Sequence, residues 1–231
     1  MRSIALTDST RLHRTLGRGF CYNSSMRSAI AALDHLVLAT PELNHTADWL
    51  VDATGITPSP GGPHIDRGTR NVLCSLGHAS YLEVVGPDPD QPAPCGPRPF
   101  GVDDLHAPAM VGWAIAVTDI DRAIAAARAN GYDPGPAAPM QRQRPDGVVL
   151  NWRLTVSSSK TVPFLIEWDT PQHPAADAAP GLELVELRAR HPRPASLANT
   201  LAALGIFMGV ERGPEALLVE ITGPRGSIWF A

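Results

Sequence analysis

Residues 33–55 read Leu-Asp-His-Leu-Val-Leu-Ala, Thr-Pro-Glu, then Leu-Asn-His-Thr-Ala-Asp-Trp-Leu-Val-Asp-Ala-Thr-Gly. The first seven residues are a short apolar run, which marks a strand. Thr40-Pro41 follows as a cap with proline at the first helical position. Leu43, Ala47, Leu50 and Thr54 then keep helical spacing, and Gly55 stops the helix. The same order of signals returns twice. An apolar run at 111–117 precedes a helix from Asp119 that carries Ile120, Ala123, Ile124 and Ala127 on one face and stops at Gly131. A run at 182–189 precedes a helix after Pro194 that carries Leu197, Leu201 and Leu204 and stops at Gly205. The stop glycines recur about every 75 residues, a period too long for an ordinary solenoid and suited to a repeated supersecondary unit.

Each helix leads into a return segment and a hairpin. Strands at 71–76 and 80–85 flank Gly77-His78-Ala79. Strands at 148–156 and 162–168 flank Ser157-Ser158-Ser159-Lys160, and strands at 217–222 and 227–230 flank Gly223-Pro224-Arg225-Gly226. The unit is strand, helix, then three strands (βαβββ). Its sheet has one face under the helix and one face bare, so a single unit cannot close a core. The expected fold is therefore α+β. Two units over residues 32–170 pair into a curved, barrel-like sheet around a lined concavity, and residues 182–231 form a third, shorter unit. The joints fall at the Pro/Gly-rich stretches 87–99 and 171–181. The third unit must pack on an outer face or against another chain. Its last strand leaves an apolar edge, a liability that a homodimer would bury.

Composition removes whole classes of function. Apolar residues at 44% and charged residues at 18% are those of a globular chain rather than a disordered one. No apolar run approaches the ~18 residues of a membrane span. The net charge of -4, with no basic stripe, argues against general nucleic-acid binding. Cys21, Cys74 and Cys95 are too few and too scattered for a disulfide framework or a zinc knuckle, which suits a reducing cytoplasm. In residues 1–31, Arg2, Arg11, Arg14, Arg18 and Arg27 are opposed only by Asp8. Ile4-Ala5-Leu6 is too short for the core of a secretory signal, so this segment reads as a disordered or weakly structured tail.

Several stretches carry a family resemblance: Leu33-Asp34-His35-Leu36-Val37, Gly61-Gly62-Pro63-His64, Gly68-Thr69-Arg70-Asn71, Tyr81-Leu82-Glu83 and Phe164-Leu165-Ile166-Glu167. Together they resemble the glyoxalase-like domain proteins of the vicinal oxygen chelate superfamily, to which glyoxalase I and the extradiol dioxygenases belong. The likeness covers about residues 32–170 and continues more loosely through the third unit. It implies metal ligands on the first and last strands of each paired unit: His35 and Glu83 from the first, Glu167 from the second. The fourth position falls on Trp113, which cannot bind a metal. The implied cofactor is a divalent ion, Mn, Mg, Ni, Fe or Zn, with positions open to a small substrate bearing neighbouring oxygens. Glu83 and Glu167 would be the catalytic carboxylates of a lyase, isomerase or epimerase. Ring cleavage, which typically uses two histidines and one carboxylate, would need His64 to complete the set.

Alternate strand residues share a face. His35, Glu83 and Glu167 then stand on the inner face, with Tyr81 and Leu165 among their neighbours, while Leu36, Leu82, Phe164 and Ile166 face the helices. His64 is expected at the rim, with Asn71, Trp113 and Arg153 as substrate contacts. Turn chemistry accounts for Asn71 equally well, and a surface strand is the commoner home for an arginine such as Arg153. Glu220 sits in a string that resembles the one around Glu83, but it precedes its hairpin turn where Glu83 follows one, so it has no metal role. The competing function is a metal-free protein that binds an apolar or aromatic molecule with Trp113, Trp152 and Tyr81. The tryptophan at the fourth ligand position favours that reading, and His35, Glu83 and Glu167 count against it.

Overall fold

A computed structural model describes residues 33–77, 79–170 and 172–231; the tail at 1–31 lies outside the described residues. The first unit comprises β1 (Leu33–Ala39), α1 (Leu43–Thr54), β2 (Ser59–His64), β3 (Thr69–Ser75) and β4 (Tyr81–Pro87). The second comprises β5 (Ala109–Ala116), α2 (Ile120–Ala129), β6 (Ala137–Gln143), β7 (Val149–Thr155) and β8 (Phe164–Asp169). The third comprises β9 (Glu183–His191), α3 (Pro194–Ala203), β10 (Val210–Arg212), β11 (Ala216–Gly223) and β12 (Gly226–Phe230).

The helix ends follow local chemistry. Gly55 adopts φ 82°, the left-handed conformation that costs glycine least, and its N–H donates to Val51 O. α1 begins at Leu43, two residues beyond Pro41, and the Thr40 hydroxyl accepts the Glu42 N–H at 3.1 Å. At α2 the Asp119 carboxylate accepts the Arg122 N–H at 2.9 Å, a side-chain N-cap.

β1 to β8 close into a barrel in the order β1-β4-β3-β2-β6-β7-β8-β5. Each unit supplies four neighbouring strands, and two seams join the units. At one seam β1 and β5 pair antiparallel along their whole length, from Leu33↔Ile115 to Ala39↔Ala109. At the other, β2 and β6 share the single pair His64↔Arg142.

The outer face of the barrel carries Leu36, Leu38, Leu82, Val84, Trp113 and Leu165, which pack in one core with Leu50 of α1 and Ile120 and Ile124 of α2. Each such fully buried side chain is worth about 1.5–3 kcal/mol. Leu187, Leu217, Val219, Ile221 and Ile228 of the third unit belong to the same core.

The third unit thus packs on an outer face of its own chain. Arg225 N donates to Thr54 O at 3.0 Å, and Phe230 meets Trp49 edge-on at 6.1 Å. Pairing with a second chain is not required to bury its core. Its sheet order, β10-β9-β11-β12, departs from that of the other units. β9 pairs antiparallel with β11, whereas β1 and β5 pair parallel with the last strands of their units. β10, of three residues, is too short to be a full hairpin partner for β11 and pairs with β9 instead. Glu220 lies in this second sheet opposite Glu186 and Trp229, apart from the barrel interior.

Candidate functional site

Paired residues of neighbouring strands share a face, so the ladders define what points inward. His35↔Tyr81, Val37↔Glu83, Leu73↔Glu83, Gly62↔Asn71 and His64↔Thr69 put His35, His64, Asn71, Tyr81 and Glu83 on the inner face of the first unit. Ala114↔Phe164, Leu154↔Ile166 and Trp152↔Trp168 put an apolar row on the inner face of the second. The two rows, with Arg142 and with Phe100 above, line one cavity. Its free space is about 40 Å³, room for about three waters.

Local backbone explains how the polar groups meet. Gly61 and Gly62 form an irregularity in the β2–β3 register. A Cβ on Gly61 would stand 2.0 Å from Asn71 Oδ1 and 2.8 Å from Arg142 Nη1. Only glycine lets β2 lie this close, and the Gly61 carbonyl accepts the Arg142 guanidinium. A second irregularity, in β1 between Leu33 and His35, frees Asp34 from simple alternation. Asp34 is fully buried and accepts His35 Nδ1 at 2.5 Å, Trp168 Nε1 at 2.9 Å and His173 Nε2 at 2.9 Å.

The electrostatics follow from these bonds. Burial raises the Asp34 pKa, but the hydrogen bonds and charges of His173 and His35 outweigh it and hold the carboxyl well below its usual range. An ionised carboxylate only accepts, so His35 Nδ1 carries the proton and its Nε2 faces Glu83 Oε2 at 3.7 Å. Burial likewise raises the Glu83 pKa; the His64 hydrogen bond and charge, the His35 charge and the Asn71 amide bring it down to about 2. Asn71 Nδ2 donates to Glu83 Oε1 at 2.6 Å and meets His64 Nε2 at 3.3 Å. His64 Nδ1 is 2.9 Å from Thr69 Oγ1, and its Nε2 is 3.4 Å from Glu83 Oε1. Asn71 Oδ1, turned toward Gly61, has no hydrogen-bond partner among the described residues. Burial pushes the Arg142 guanidinium down and the Tyr81 hydroxyl well up.

The residues expected from sequence divide cleanly. His35, Glu83, His64 and Asn71 converge on the cavity, with His64 buried in it rather than at its rim. Glu167, Trp113 and Arg153 do not. Glu167 lies on the outer face, 26% exposed and 3.5 Å from Arg153. It therefore cannot share an ion with His35 and Glu83. Trp113 belongs to the helix-side core and donates its indole N–H to Thr161 O at 3.3 Å. Arg153 is bidentate to Asp121 at 2.9 Å on the outside.

The parity expectation holds in β1 and β4 and is inverted in β8, where Phe164 and Ile166 face inward and Leu165 faces the helices. The rows of β8 are Phe164, Ile166 and Trp168 against Leu165, Glu167 and Asp169. The polar row reads as the inner one, but the interior of the second unit is apolar, and the acids lie where the strand runs out to solvent. Asp34, Arg142, His173 and Trp168 were not anticipated. Asp34 depends on the irregularity in β1 and Arg142 on the closure of β2 onto β6. Of these, Asp34 alone carries a sequence signal, an acid beside a strand histidine.

The donors available to a divalent ion lie on one side only. His35 Nε2 and His64 Nε2 each face the Glu83 carboxylate, at 3.7 and 3.4 Å, while β5 and β8 offer Gly112, Ala114, Phe164 and Ile166. Among the described residues, no three His, Cys, Asp or Glu side chains are grouped as a metal site. No helix among them is long and apolar enough to cross a membrane.

Comparison with known proteins agrees with this architecture. The glyoxalase-like domain family model matches residues 33–205, and the chain belongs to that family, within the vicinal oxygen chelate superfamily. No curated protein matches. A hypothetical protein from Staphylococcus aureus is similar in structure, with a TM-score of 0.60 at 14% identity, covering 86% of this chain and 84% of its own. Methylmalonyl-CoA epimerase from Mycobacterium tuberculosis aligns with a TM-score of 0.42 at 18% identity, over 63% of this chain and 91% of its own.

Proposed function

We propose that the chain is an enzyme that moves a proton on a small oxygenated substrate, an isomerase, epimerase or lyase. The observation that carries this reading is the buried series Asp34–His35–Glu83–His64 at the head of an otherwise apolar cavity. Asp34 accepts from His35 Nδ1 and so fixes the ring's orientation and tautomer, the orienting role of the acid in a carboxylate–histidine pair. His35 Nε2 is left facing the cavity as a base. A C–H beside a carbonyl gives its proton to Nε2, the bonding pair becomes the enolate, and the buried Arg142 and Asn71 N–H groups supply positive potential at the oxygen end. The proton then returns to the same carbon or to its neighbour, with no redox partner needed. The apolar wall of the second unit excludes water and strengthens each of these interactions.

A second reading is favoured by one observation, that His35 Nε2 and His64 Nε2 both face the Glu83 carboxylate. Those three residues, rather than His35, Glu83 and Glu167, would hold a divalent ion acting as a Lewis acid.

The test is deuterium incorporation. Pyruvate, acetoacetate, dihydroxyacetone and the hemithioacetal of methylglyoxal are incubated with the protein in D2O, with chelator or with added Mn, Mg or Zn. Exchange of the α-proton above background, lost in His35→Gln, is the expected result. Exchange that appears only with an added ion selects the second reading. Absence of exchange in every arm overturns both and leaves a binding protein.

A further inference from the structure

The inner cavity is too small to hold a whole substrate, and its partition leads to a much larger space. Phe100, Met140, Leu154 and Phe164 line the inner cavity on one side and an outer cavity of about 580 Å³ on the other. That volume falls within the range of small-molecule pockets, about 300–1,000 Å³. The outer cavity has apolar walls, including Val111, Ala138 and Val162. Its mouth is different: Arg67 and Lys160 stand there, and neither has a carboxylate within ion-pair distance among the described residues.

The mouth is also braced. The loop that carries Lys160 is tied to the third unit through Glu215, whose Oε1 accepts Ser159 Oγ at 2.5 Å and Thr161 Oγ1 at 3.0 Å. The partition has a feature of its own, since Phe100 holds φ 62°, a left-handed conformation that is costly for a residue with a Cβ.

We propose that the outer cavity binds the aliphatic body of an elongated substrate whose far end is an anion held by Lys160 and Arg67, with the reacting head passing Phe100 to His35. The ligand class is an acyl or alkyl chain of moderate length ending in a carboxylate or phosphate. This rests on the reading of the inner cavity for the direction of the head, but the binding itself does not.

Calorimetric titrations with octanoate, octyl phosphate, octan-1-ol and acetate test it. Octanoate and octyl phosphate should bind at least tenfold more tightly than octan-1-ol, and acetate should not bind measurably. Lys160→Gln with Arg67→Gln should reduce both anions to the level of the alcohol, with an unchanged melting temperature. Ala138→Trp, which fills the outer cavity from a half-buried position, should remove all binding. His35→Gln should leave octanoate binding intact. Equal affinity for alcohol and anions, or octanoate binding that survives Ala138→Trp, overturns the proposal. Octanoate binding without deuterium exchange removes the proton-transfer reading alone, and exchange without octanoate binding removes this one alone.

Discussion

The first unit turns His35, His64, Asn71 and Glu83 toward the barrel axis, while the second turns Ala114, Met140, Trp152 and Ile166 toward it. The strand order is the same in both: β1 pairs parallel with β4, β5 pairs parallel with β8, and the remaining strands run antiparallel. The two inner faces have diverged by division of labour. One half supplies the carboxylates and imidazoles, and the other, apart from Arg142 of β6, supplies the low-dielectric wall that makes their contacts strong.

The largest effect should separate two inward glycines. Gly61→Ala drives a methyl group into Asn71 and Arg142 and should cost more than about 3 kcal/mol, or prevent folding. In Gly112→Ala the new methyl group meets nothing nearer than Phe164 Cε1 at 3.9 Å, and the change should stay under about 1 kcal/mol. Urea unfolding of the two variants measures the contrast directly, and equal losses would erase it.

Next come the two glutamates. The Glu83 pKa is depressed from 4.5 to about 2, so its contribution to stability is complete above pH 4.5 and is lost as pH falls toward 2. The loss should be about 3 kcal/mol across that window. Asp34, depressed in the same sense, adds to it below pH 3.8. Glu83→Gln should flatten this pH dependence and destabilise the protein at neutral pH. Glu167→Gln, on the outer face, should shift stability at neutral pH by less than about 0.5 kcal/mol. Melting temperatures recorded between pH 2 and 7 distinguish the two.

The smallest effect is expected at Arg153. Its pairs with Asp121 and Glu167 lie at the surface, where solvent screens them, and Arg153→Ala should leave the urea midpoint almost unmoved. A larger loss in the same unfolding assay would mean that the outer face of β7 matters more than its exposure suggests.

What sequence could and could not disclose follows the same division. The unit was legible because Gly55, Gly131 and Gly205 terminate helices at a steady interval, and each adopts positive φ in the structure. The inward row of the first unit was legible because His35 and Glu83 interrupt apolar strands at a clear alternation. In β8 one row is Phe164, Ile166 and Trp168 and the other Leu165, Glu167 and Asp169. Glu167 matches Glu83 by its place on the last strand of its unit, with the polar row taken as the inner one, although its ladder partner, Arg153, faces outward. Asp34 and Arg142 come into place through an irregular strand and a seam between units; Asp34 leaves only the signal of an acid beside a strand histidine, and Arg142 leaves none.

That seam has a consequence of its own. A cylinder riveted along one join and pinned at only a few points along the other yields at the sparser join first. Here the pins are the ladder pair His64↔Arg142, the Ile65 N–H on Gln141 O at 3.2 Å and the Arg142 guanidinium on Gly61 O, and the His64 and Arg142 side chains belong to the cavity. The join that completes the architecture and the charges that the architecture shelters are therefore the same residues. A change that loosens the closure cannot spare the chemistry, and one that retunes the chemistry cannot leave the closure untouched.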